Sequence, residues 1–188
     1  MEAFLISTGV VALAEIGDKT QLLALVLAAR FRKPVPIILG MLGATLLNHA
    51  LAGVAGRFVA NVVGPVAMRW ILGASFIAMA VWMLIPDRLD DAETQKPPRF
   101  GAFLTTLIGF FLLEMGDKTQ IATVALAAKY PSLVAVVAGT TVGMMLANVP
   151  VVLLGNGVAK RLPLKVVHGI AAGIFLVMGL VVLLSPMF

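Results

Sequence analysis

Long apolar runs broken by short clusters of Pro, Gly and charge fill this chain. They predict membrane-crossing helices near residues 3–29, 35–56, 67–86, 100–128, 133–158 and 165–185. Several of these runs exceed the roughly 18 apolar residues needed to cross a hydrocarbon core as a helix. Arg30-Phe31-Arg32-Lys33-Pro34 closes the first run, Lys129-Tyr130-Pro131 the fourth, and Pro86 and Pro186 the third and sixth. The order of elements repeats. Glu15-Ile16-Gly17-Asp18-Lys19-Thr20-Gln21 returns 99 positions later as Glu114-Met115-Gly116-Asp117-Lys118-Thr119-Gln120. Asn48 and Asn148, and Gly73 and Gly173, match at an offset of 100.

The expected fold is therefore an all-α integral membrane protein of six transmembrane helices in two three-helix repeats, residues 1–86 and 100–188, joined by a solvated cytoplasmic linker at 87–99. Three is odd, so the second repeat enters the membrane from the opposite side. That gives inverted topology, a plan many transporters use with the site near the midplane. Gly139 with Gly143, Gly169 with Gly173 and Ala52 with Gly56 are four apart, a spacing that lets helices approach closely.

Composition supports the membrane assignment: 61% of residues are hydrophobic, 12% are charged, and the mean hydropathy is +1.06. No soluble domain covers so much apolar surface with so few charges. The pI of about 10.0 does not point to nucleic acid, because Lys and Arg gather at the ends of apolar runs. One set of connections holds nine of them and the other three, with Lys19 and Lys118 inside the spans. The richer side is expected to be cytoplasmic, which places both termini outside a bacterial plasma membrane. The start of the chain lacks the positive region of a signal peptide, and no organellar targeting extension is evident. The absence of cysteine excludes disulfides and thiolate metal ligands.

Charges within the apolar runs carry the chemistry. A charged group at a helix centre costs roughly 2.5–3.5 kcal/mol, so the six in the two motifs must meet one another, water or an ion. Of nine acidic residues only Glu15, Asp18, Glu114 and Asp117 fall within the spans. On continuous helices each motif would set its acids and lysine on one face, flanked by Gln21 or Gln120, with Thr20 and Thr119 turned away toward backbone carbonyls. Gly17 and Gly116 are candidate hinges whose loosening frees carbonyls for ion binding. Lys19 and Lys118 are expected to position the acids, with proton coupling as the sharper alternative. Pairs such as Glu15 with Lys19 could also simply pin the halves together. Asn48 and Asn148 are either supporting ligands or interhelical bridges. His49 adjoins Asn48, while His168 is expected at the membrane interface.

Four carboxylates suit hard cations such as Mn²⁺, Ca²⁺ or Mg²⁺. Four negative and two positive groups sum to −2, which one divalent ion or about two protons would neutralise. Exchange of the two is the expected mechanism. Alternatives are a divalent cation channel, a small-solute exporter of the lysine-exporter type, a metal-dependent hydrolase and a scaffold. No enzymatic role and no cofactor beyond the transported ions is expected.

The doubled motif resembles the cation–proton antiporter family that carries two E-x-G-D-[KR]-[ST] signatures, known from Golgi membranes, chloroplasts and bacteria. The likeness spans nearly the whole chain and is nearest to that family's bacterial manganese exporters. It implies Mn²⁺–proton exchange, with Ca²⁺ in some members, and a cation site of Glu15, Asp18, Glu114 and Asp117.

Overall fold

A computed structural model describes residues 1–85, 100–154 and 164–184. It is all-helical, with α1 Glu2–Glu15, α2 Lys19–Phe31, α3 Pro34–Val62, α4 Pro65–Trp82, α5 Ala102–Glu114, α6 Lys118–Lys129, α7 Leu133–Leu154 and α8 Leu164–Leu184. The expected linker at 87–99, Pro86, Pro186, Lys160 and Arg161 lie outside the described residues. Among the described residues, four helices are long and apolar enough to cross a membrane: α3, α4, α7 and the Lys165–Leu184 part of α8.

The first and fourth expected spans are each two helices. α1 stops at Glu15 and α2 starts at Lys19; α5 stops at Glu114 and α6 starts at Lys118. Glycine is the local cause. Gly17 and Gly116 have φ of 83° and 77°, a left-handed conformation that breaks a helix at little cost only when no Cβ is present. Prolines set other boundaries: Pro34 and Pro65 stand at the starts of α3 and α4, where a missing N–H does no harm. α3 runs on to Val62, well past the expected end at 56.

The two halves pack reciprocally. α1 lies against α7 and α5 against α3, and α4 and α8 lie against each other. Gly40 of α3 faces the Phe103 carbonyl and Thr106; Gly139 of α7 faces the Phe4 carbonyl and Ser7. All of these pairs are 99 apart, and so are Phe76 and Phe175, whose rings stack at 6.3 Å between α4 and α8. Burial follows the same spacing. Buried Ile37, Gly40, Met41, Ala44, Thr45, Asn48, His49, Ala52 and Gly53 on α3 match buried Val136, Gly139, Thr140, Gly143, Met144, Ala147, Asn148, Val151 and Val152 on α7.

This register corrects the offset of 100. The counterpart of Asn48 is Ala147, that of Asn148 is His49, and buried Gly73 matches buried Ala172 rather than exposed Gly173. Nor do Gly169 and Gly173 mediate close packing, since a Cβ at either would meet open space. Gly56 does, against the Val124 backbone.

One departure from reciprocity matters. α4 packs on α6 and α8 on α1, forming one apolar core that contains Met68, Phe76, Met79, Leu126 and Phe175. The mirror interfaces, α4 on α5 and α8 on α2, are not built to a comparable extent. A second core, with Leu23, Leu27, Ile37, Met41 and Phe110, joins α2, α3, α5 and α7 without α4 or α8.

Candidate cation site

Both helix breaks meet at the centre of the bundle, and the motif residues rebuild the chain there. Asp18 and Asp117 stand at the N-caps of α2 and α6. Three residues on, Gln21 and Gln120 reach back, and their Oε1 atoms accept from Gly17 N (3.0 Å) and Gly116 N (2.7 Å). This is the logic of a capping box, with the N3 side chain satisfying a backbone donor that the helix cannot. The amide nitrogens of both glutamines then tie the breaks to the opposite half. Gln21 donates to the Ala147 carbonyl at 3.0 Å and Gln120 to Asn48 Oδ1 at 2.6 Å.

All four motif acids are buried. One oxygen from each of Glu15, Asp18 and Asp117 lies within 4.8 Å of the others, close enough for one cation to bridge the three. Glu114 lies outside this trio, though Glu15 and Asp117 are within electrostatic reach of it. Its carboxylate accepts from Thr45 at 3.0 Å and Asn48 at 3.4 Å. Glu15 accepts from Thr20 at 2.6 Å and Asn148 at 3.5 Å. Its second oxygen has no hydrogen-bond partner among the described residues. Buried carboxylates brought this close, one with an oxygen that no donor among the described residues satisfies, could together hold a cation.

The lysines pair across the halves, not within a helix. Lys118 Nζ lies 3.0 Å from Asp18, and Lys19 Nζ lies 3.4 Å from Asp117. Each bridge crosses between halves, because the break rotates each lysine off the end of its own α1 or α5. Thr20 is corrected: it turns toward Glu15, since the same break folds α2 back over it. Thr119 is fully buried near that carboxylate. Met115, between Glu114 and Gly116, is 56% exposed.

His168, in the first turns of α8, also touches the first break. Its Nε2 sits 2.7 Å from the Ile16 carbonyl freed by that break. Position in the repeat held the only signal for this, because His168 stands 99 residues after Arg69 on a helix packed beside α1.

A family model described as "Divalent cation/proton antiporter GDT1" matches residues 3–91 and 102–187. The chain belongs to this family. Similarity to individual members agrees. A Vibrio cholerae protein named "Putative manganese exporter" is 51% identical over 181 residues, covering 96% of this chain and 90% of that protein. GDT1-like protein 5 of Arabidopsis thaliana is 26% identical, with 99% of this chain and 97% of the relative covered. A GDT1-like protein of Synechocystis is also 26% identical, with 93% of each chain covered. No solved structure matches the chain. Membership makes this a membrane transporter of cations, and the apolar helices fit that assignment.

Proposed function

We propose that the chain exchanges a divalent cation, Mn²⁺ foremost and Ca²⁺ as a second substrate, for protons, and so exports the cation across a bacterial plasma membrane. The observation that carries this reading is the buried carboxylate trio drawn from both motifs. Family membership and the manganese-exporter relative support it.

In this reading α1–α2 and α5–α6 are interrupted crossings, giving six spans in two inverted repeats over 1–86 and 100–188. The cation site consists of Glu15, Asp18, Glu114 and Asp117. Lys118 and Lys19 neutralise Asp18 and Asp117 across the halves, which leaves the net −2 on the two glutamates. A divalent ion cancels that charge; in its absence two protons do so. Gly17 and Gly116 serve as the hinges, while Gln21, Gln120, Thr20, Thr119, Asn48 and Asn148 hold the acids in register.

Energetics favour exchange over a pore for export. Moving a divalent ion out against 100 mV opposes roughly 4.6 kcal/mol, and two inward protons offset that electrical term. Mn²⁺ uptake into dye-loaded liposomes tests the site. Asp18→Asn and Asp117→Asn should each reduce flux at least about a hundredfold, although they lie in different halves. Unchanged flux in either variant would refute a shared cage.

A further inference from the structure

His49 lies at the middle of α3, fully buried, and neither ring nitrogen has a hydrogen-bond partner among the described residues. Leaving a buried polar group unsatisfied costs roughly 1–3 kcal/mol, so such a group calls for a reason. Its surroundings supply one. The preceding residue, Asn48, donates to Glu114, and so does Thr45, one turn back on the same face of the helix. In the 99-residue register the counterpart of His49 is Asn148, whose side-chain amide points at Glu15. His49 therefore holds, on the Glu114 side, the place from which Asn148 serves Glu15. The repeat has kept a polar residue at this position and changed its chemistry.

That change is selective. The motif acids offer only oxygen, which Ca²⁺, Mg²⁺ and Mn²⁺ all accept. Asn148 can add no more than another oxygen. A neutral imidazole adds a nitrogen, which first-row transition metals bind and the alkaline-earth ions bind poorly. We infer that His49 is a nitrogen ligand for the transported cation on the Glu114 side of the cage and tilts selection toward Mn²⁺ over Ca²⁺, an inference that rests on the cation exchange proposed above. Glu114 and His49 lie beyond the ready-made oxygen trio of Glu15, Asp18 and Asp117. An ion drawn toward Glu114 thus meets a different ligand set from one held by the trio, and only that second set discriminates.

Pulsed electron paramagnetic resonance of purified protein loaded with Mn²⁺ tests this directly. The wild type should show nitrogen-14 modulation from a directly bound imidazole. The signal should vanish in His49→Gln and persist in His168→Gln, which alters the other histidine. In liposomes, His49→Gln and His49→Asn should lower the ratio of Mn²⁺ to Ca²⁺ flux at least about tenfold, with Ca²⁺ flux within about twofold of wild type. Bound Mn²⁺ without a nitrogen signal in the wild type would overturn the role of His49 while leaving the exchange reading intact. Equal loss of both fluxes in the two variants would also overturn it, by exposing a purely structural role. A wild type that binds no Mn²⁺ would bring down both readings.

Discussion

Lys19 and Lys118 occupy equivalent places in the repeat but meet different surroundings. The Lys118 side chain is 1% exposed and its Asp18 partner fully buried, whereas Lys19 is 24% exposed against Asp117. Removing one member of a fully buried pair strands a charge, which costs about 3–5 kcal/mol. A partly wet pair is screened and is worth roughly 1 kcal/mol or less. Lys118→Ala should therefore lower the thermal unfolding midpoint in detergent far more than Lys19→Ala, and equal shifts would show that the two environments are alike. The identity of the charged residues was legible in the sequence, because acids and lysines inside apolar runs have nowhere cheap to go. Their pairing was not. A continuous helix puts Glu15 beside Lys19, and only the breaks at Gly17 and Gly116 send the two lysines to the opposite halves.

At the level of the helix, the two breaks depend on backbone freedom rather than space. A Cβ added at Gly116 would meet no atom within 4 Å, yet φ there is 77°. Gly116→Ala should cost about 1–3 kcal/mol through strain alone. Gly116→Asn should cost less, because Asn tolerates the left-handed region; thermal denaturation of the two variants would contradict this if Ala proved the milder change. Gly40 and Gly139 make the opposite case. A Cβ at Gly40 would sit 2.6 Å from the Phe103 carbonyl, and one at Gly139 would sit 2.5 Å from that of Phe4. Gly40→Ala and Gly139→Ala should each destabilise by about 1–3 kcal/mol, to similar extents, as overpacking at equivalent contacts does. The glycine spacing marked Gly139 and Gly143 correctly but also marked Gly169 and Gly173, because small residues every fourth position occur on exposed helix faces as well. The capping pattern of Asp18 with Gln21 was the available sign that α1 and α2 are separate helices.

Across the whole molecule, the repeat was visible in the paired motifs, and a one-residue register error concealed the match of His49 with Asn148. Burial on α3 and α7 settles the register, since packing responds to helix faces rather than to residue names. The unequal seating of α4 and α8 could not have been read from a near-symmetric sequence. These helices cover α1 and α6 and leave α5 comparatively bare: Leu112 is 62% exposed, while its counterpart Leu13 packs against the apolar core. Alternating exposure follows if the pair also adopts the mirror seating, against α5 and α2. Spin labels at Val66→Cys and Leu112→Cys, in a chain with no native cysteine, should then report two distances, the shorter belonging to the mirror seating; a single distance under all ion and pH conditions would argue against it. The exchange itself is tested most directly by recording Mn²⁺ and proton fluxes together in voltage-clamped liposomes. Coupled exchange predicts opposed fluxes in a fixed ratio of about one ion to two protons, both lost in Glu15→Gln. Mn²⁺ flux that follows the voltage without any proton flux would contradict it.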